Sequence, residues 1–327
     1  MKDTNRSGFV KKLLKNNVTL ILGVLILMIV VASVFSPHFL TLFNLQSLMR
    51  DLAFIGMIAV AQSLLLLIGE LDLSVGKTAT LSGVFGGLLM TTLHVNPFLS
   101  FFLALISGAI LGAINGMLVS GLRLNAMVTT IGMQSLYGGI TLVITKGKAI
   151  TNIPEEIFFL GKGSLGPIPI PFIFMIVVLI CILYFTQRTR TGRYIYAIGN
   201  SKEASKLMGI RVNRIRVLLY SIVGFISALA GMLYVARLGS AQAAIGNSWP
   251  MNSIAAGVIG GVALTGGVGT PFGALIGAAI ICVISNVIVL FGVNVYWQEA
   301  VSGLVVVVAI ALPSLLKIIR ERKMIKK

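Results

Sequence analysis

The stretch 52-LAFIGMIAVAQSLLLLIGELDLSVGKTATLSGVFGGLLMTTL-93 decides the fold. Two apolar runs, residues 52–68 and 75–93, flank a short break that carries Glu70, Asp72 and Ser74, with Lys77 just inside the second run. At ~1.5 Å per helical residue each run covers most of a hydrocarbon core ~30 Å thick. Charges are costly at that depth, so a break of this kind faces a cavity, a partner charge or the interface.

Working outward, the same alternation of long apolar runs and brief polar breaks fills the chain. It has 327 residues, 57% hydrophobic and only 11% charged, with a mean hydropathy of +1.01. That composition belongs in a bilayer. Apolar runs occur at residues 18–35, 52–68, 75–93, 98–120, 126–145, 168–185, 217–238, 254–264, 272–290 and 297–315. The eighth covers only about half of the core and reads as a half-helix. The expected fold is therefore an all-α polytopic membrane protein with about ten transmembrane helices, some broken or halved. The first run follows Lys11, Lys12 and Lys15 but ends at Phe35-Ser36-Pro37 without a small-x-small cleavage pattern, so a retained signal anchor is expected.

The formal charge of +17 would suit a nucleic-acid partner, but no stretch has enough polar surface to carry a basic face. Lys and Arg instead cluster before residue 18, between 187 and 216, and from 317 to the end. Under the positive-inside rule all three segments are cytoplasmic, and ten crossings join them with the required even parity. Split this way, the inner side holds 21 Lys plus Arg against 5 Asp plus Glu, and the outer side 5 against 4. The excess is an orientation signal, with anionic inner-leaflet lipid as its partner. The organisation that follows is a basic cytoplasmic N-terminus (1–17), one transmembrane domain (18–315) with a cytoplasmic loop at 187–216, and a basic cytoplasmic tail (316–327). The longest outer loop, 146–167, is too short for a substrate-capture domain. Cys181 and Cys282 lie in apolar runs and His38 and His94 stand apart, so no disulfide framework or metal site is expected.

Three segments carry the functional reading. In the first, Asp72 and Ser74 either cap the following helix in a polar turn or, with Glu70, line a pathway or gate. Gly76-Lys77-Thr78 matches the end of a phosphate-binding loop, but Leu71 stands where that loop needs Gly, and Glu70 and Asp72 would repel a triphosphate. Nucleotide binding by this chain is excluded on that ground. The second segment, 257–277, contains Gly260, Gly261, Gly266, Gly267, Gly269 and Pro271, too many breakers for a continuous helix, and broken helices in transporters line substrate routes. Parity allows an internal repeat relating these two breaks. Polar groups suited to brushing a solute include Gln62, Asn115, Gln134 and Asn252. The repeats Gly108/Gly112/Gly116, Gly257/Gly261 and Gly273/Gly277 read as helix packing.

The third segment lies in the basic loop. Asn200 and Glu203 form a capping-box-like start and Gly209 a stop, giving a helix of about two turns with Ala204, Leu207 and Met208 on one face. Such a helix fits a partner's groove; the alternative is an interfacial helix on lipid headgroups.

Together, Asp72 to Gly76, the loop from Thr191-Gly192-Arg193 to Gly209-Ile210, and the Gly260 to Gly277 run resemble the permease subunits of bacterial ribose-type sugar ABC importers, in that family's order and over nearly the whole chain. The resemblance implies a multi-pass cytoplasmic-membrane permease, paired with a second copy or a paralogue, ATPase subunits and an extracytoplasmic sugar-binding protein. It implies that Gly199, Asn200, Glu203, Ala204, Leu207, Met208 and Gly209 form the ATPase-coupling element. ATP and Mg would belong to the partner, with no cofactor and no catalytic residue in this chain. Two positions depart from the family's pattern: Glu70 stands where Gly or Ser is usual, and Lys77 where a small or apolar residue is usual. Related permeases carry autoinducer-2, nucleosides or branched-chain amino acids. An ion-coupled carrier would place ionisable groups in several spans, and an enzyme would need a nucleophile, acid-base or metal constellation; the chain offers neither pattern.

Overall fold

The computed structural model describes residues 17–292 and, beyond these, 294, 297, 300, 303, 304 and 307. The tenth expected span falls largely outside the described residues, as do both basic termini. Within them the chain is helical: α1 (Asn17–Phe35), α2 (Leu42–Leu67), α3 (Val75–Thr91), α4 (Pro97–Gly121), α5 (Ala126–Thr145), α6 (Phe158–Lys162), α7 (Ile170–Arg188), α8 (Arg190–Asn200), α9 (Lys202–Leu207), α10 (Val212–Leu238), α11 (Trp249–Ile259) and α12 (Pro271–Leu290). Seven of these, α1, α2, α4, α5, α7, α10 and α12, are long and apolar enough to cross a membrane. The only strands among the described residues are the pair β1 (Ser164–Leu165) and β2 (Ile168–Pro169), an antiparallel hairpin in the loop between α5 and α7.

Helix starts follow local chemistry. Asn96 accepts from Phe98 N–H (3.0 Å) ahead of Pro97, Asn125 accepts from Met127 N–H (2.9 Å), and Thr270 accepts from Gly273 N–H (3.1 Å) ahead of Pro271. Each cap satisfies donors that lipid cannot. Three helices, α2, α10 and α11, begin a turn or more before their apolar runs. α2 starts at Leu42 because Thr41 caps it, and Arg50 and Asp51 are carried inside the helix with partners of their own. The half-helix expected at 254–264 is the 11-residue α11, shifted to Trp249–Ile259, since Pro250 fits a first helical turn and Gly261, at φ +81°, does not continue one.

α2 and α10 form the centre. From Leu52 on, nearly every side chain of α2 is buried, whereas α1 and α5 present broad apolar faces outward. The glycine stripe of α4 lies on α10: a side chain at Gly112 would collide with the Tyr220 carbonyl, one at Gly108 with Gly224 and Ala228, and one at Gly116 with the Val217 backbone. These glycines are packing surfaces, as expected.

The repeat within the chain is a different one from that expected. α2, a break and α3–α4 match α10, a break and α11–α12: a long helix, a re-entrant segment, a shorter helix, then a helix opened by a capped Pro. α2 packs on α11 and α12 as α10 packs on α3 and α4. The units run in opposite senses, because Glu70, just after α2, pairs with Arg216 near the start of α10, while Asp51 in α2 pairs with Arg237 at the end of α10. The break matching 68–74 is thus 239–248, not the glycine run, and the relation is inverted.

Candidate translocation and coupling site

The 68–74 break is re-entrant and buried. Gly69, at φ +72°, turns the chain back, and the Asp72 carbonyl accepts from Gln62 Nε2 (3.3 Å), five residues before the end of α2 and so ~7.5 Å inside it. The Asp72 carboxylate accepts from Ser74 N–H (2.7 Å), the Ser74 hydroxyl (2.6 Å) and Asn115 Nδ2 (3.3 Å). Asn115 also donates to Ser74 (2.8 Å) and accepts from the Tyr137 hydroxyl (3.0 Å), and Leu73 N–H donates to Thr130 (3.2 Å). α2, α4 and α5 are tied to this one break in this way. Ser74 is the N-cap of α3 by position but makes no capping bond, because Asp72 occupies it. Asp72 therefore shapes the break and does not cap the helix.

Glu70 sits at the mouth of the break with its side chain 3% exposed. Its Oε1 accepts from Arg216 Nε (2.6 Å) and Lys202 Nζ (3.0 Å), and the Arg216 terminal amino group completes the pair. Lys202 opens α9 and Arg216 lies in the first turns of α10, so one carboxylate joins the break to the basic loop. Neither cation is recognisable from sequence as its partner, since each lies more than 130 residues away.

The second break, 239–248, enters from the other end. Ala241 bridges Ile150 of the loop after α5, and Gly246 lies against Gly76. The Thr80 hydroxyl donates to the carbonyl of Ile245. Lys77 reaches across: its stem runs along Gly138 of α5, and Nζ donates to Asn247 Oδ1 (2.8 Å) and the Ala243 carbonyl (3.1 Å). No charged residue or Pro marks 239–248 in the sequence, which is why it passed as an ordinary loop. Its signals are Gly239 and Gly246, both at positive φ, and Pro250 in the first turn of α11.

The glycine run forms the third part. Gly267 N–H donates to the Leu67 carbonyl (2.8 Å) at the end of α2. Gly266 packs on Gly69 and Gly199, and Gly267 packs on Asn200 and leaves no room for a side chain at Gly199. Gly260 packs backbone to backbone on Gly273, and Gly269 on Val262. Gly261 turns the chain out of α11. The Tyr196 hydroxyl donates to the Gly269 carbonyl (3.1 Å). The end of α8 is thereby seated on the first break and the glycine loop together.

α9 projects from that seat. Its N-cap is Ser201, whose hydroxyl accepts from Ala204 N–H (3.2 Å); Asn200 instead closes α8, donating to the Tyr196 carbonyl (2.9 Å). The capping-box assignment to Asn200 and Glu203 is therefore displaced by one residue, because a Ser in extended backbone follows directly. Ser205 faces inward while Glu203, Ala204, Leu207, Met208 and Gly209 are exposed, Leu207 at 90% and Met208 at 69%. Of the groups expected to brush a solute, Gln62 and Asn115 are enclosed in the Asp72 network, Asn252 is almost buried and Gln134 is half-exposed. No cluster of His, Cys, Asp or Glu suited to a metal occurs among the described residues.

Residues 44–310 match the family described as "Branched-chain amino acid transport system / permease component". The ribose import permease protein of Escherichia coli strain K12 is 35% identical over 311 residues, 94% of this chain and 96% of that protein. That of Bacillus subtilis strain 168 is 38% identical, over 89% and 90% of the two chains. The autoinducer 2 import system permease protein of Enterobacter sp. strain 638 is 34% identical, over 94% and 89%. No solved structure matches the chain.

Proposed function

The chain belongs to the permease-component family of ABC importers, and we propose that it translocates a monosaccharide, ribose or a close relative, across the bacterial cytoplasmic membrane. In this reading it crosses the membrane ten times with both termini cytoplasmic and pairs with a second permease. ATP and Mg are bound by separate ATPase subunits, and solute arrives from an extracytoplasmic binding protein. Catalysis in this chain has no part in the proposal, since its work is to hinge.

The observation that carries the reading is the α8–α9 unit. Leu207 and Met208 stand out as an exposed apolar pair, while the base of the unit is fixed to both the Asp72 break and the glycine loop. A partner that grips the pair and moves would displace both breaks together. A furanosyl signal molecule is the second reading, favoured by the identity to the autoinducer 2 permease protein.

The test is the double variant Leu207→Asp/Met208→Asp. Both side chains are exposed, so membrane levels should hold, while ATP-driven uptake of the sugar falls at least ~10-fold and the ATPase subunits no longer co-purify. Uptake and co-purification at wild-type levels would overturn the coupling assignment.

A further inference from the structure

Lys77 is an ammonium at membrane depth with no counter-charge among the described residues. Its stem lies on Gly138, twelve residues into the 20-residue α5 and so ~18 Å along a helix ~30 Å long, close to the middle of the bilayer. The side chain is half-exposed, and its two acceptors, Asn247 and the Ala243 carbonyl, are both neutral. Among the described residues no carboxylate pairs with it. Glu70 is engaged by Lys202 and Arg216, and Asp72 by Ser74 and Asn115. The first turns of α3 and α11, whose positive ends meet at Gly76 and Gly246, carry no acidic residue.

A face with an unpaired ammonium and the exposed groups Gln242, Asn247 and Ser248 cannot rest against lipid. In the importer reading such a face lines the water-filled route. The same positions would serve a neutral sugar without a charge, so the uncompensated cation needs its own reason. From this we infer that the route selects for an anionic polyhydroxylated solute, a sugar acid. Its carboxylate meets Lys77 in a charge-assisted hydrogen bond, and the neighbouring amides and hydroxyl take its hydroxyl groups. The inference rests on the sugar-importer reading and narrows it.

The experiment uses cells without other pentose uptake that express the complete importer, this chain with its ATPase and binding protein, and follows labelled D-ribonate and D-ribose. ATP-dependent accumulation of ribonate is expected in the wild type and in Lys77→Arg. Normalised to protein in the membrane, Lys77→Gln should lose it at least ~10-fold, the scale of one charge-assisted hydrogen bond. Asn247→Asp, which places a carboxylate beside the ammonium at nearly unchanged volume, should lose ribonate uptake likewise and keeps the test open if Lys77→Gln does not assemble. Wild-type uptake of ribose but not ribonate, or ribonate uptake unchanged in both variants, overturns the inference and leaves the sugar-importer reading in place. Uptake of neither solute, or uptake independent of ATP, removes that reading and the inference with it.

Discussion

At the scale of single residues, the buried charges hold the molecule's two working parts together. Glu70 accepts from two cations on different helices, and each contact reports a different burial. Arg216 is 17% exposed and donates through both Nε and a terminal amino group, while Lys202 is 33% exposed. Removing the carboxylate leaves both cations facing a neutral group. Glu70→Gln should cost about 2 kcal/mol, less than the ~3–5 kcal/mol of a fully buried pair because Lys202 remains partly solvated. Arg216→Gln should cost more than Lys202→Gln. Thermal unfolding of the purified complex in detergent measures all three; equal losses for the two cation variants would contradict the geometry. From sequence, Asp72 and Ser74 were recognisable because an acid between two apolar runs demands partners. The residues that complete their network, Asn115 directly and Tyr137 and Thr130 through Asn115 and Leu73, were not, since a pairing made by tertiary approach leaves no local spacing to read.

Among the elements, glycine decides where helices touch. Gly112 meets the Tyr220 carbonyl and the Gly224 backbone, and nothing flexible stands in the way that could yield. Gly112→Val should therefore part α4 from α10 and abolish accumulation in the membrane, whereas Gly132→Ala and Gly139→Ala, with open space around them, should leave it at wild-type level. Immunoblots of isolated membranes distinguish the two classes, and a wild-type level of Gly112→Val would refute the close α4–α10 contact. Each apolar run within the described residues falls on a helix, to within a turn or two at most boundaries. The exceptions have physical causes. The first ten residues of α2 carry Arg50 and Asp51, which look like loop until Lys162 and Arg237 supply partners. α11 begins on Trp249-Pro250, which resembles a break although Pro is compatible with a first turn. The segment 239–248 is uncharged and marked only by its glycines, so its packing on α3 is what shows that it turns back into the bundle.

For the whole molecule, the inverted relation of α2–α4 to α10–α12 sets both breaks at depth from opposite ends and makes the ends of the bundle chemically distinct. One end gathers Glu70, Lys202 and Arg216 beside α9; the other gathers Asp51, Arg237 and Lys162 under the loop 146–167, where Arg50 also donates to the Lys162 carbonyl (3.3 Å). In the proposed topology the charge bias of the loops places the first end in the cytosol. Single cysteines at Leu207 and Glu156, both exposed, can report this once Cys181 and Cys282 are replaced by Ala. In right-side-out spheroplasts a membrane-impermeant maleimide should label Glu156→Cys and spare Leu207→Cys, and inverted vesicles should reverse the pattern. Reaction of both cysteines from one side would break the opposed-ends arrangement itself. Labelling in the reversed sense would keep the fold but turn α9 away from ATP, so the coupling assignment would fail while the bundle stood.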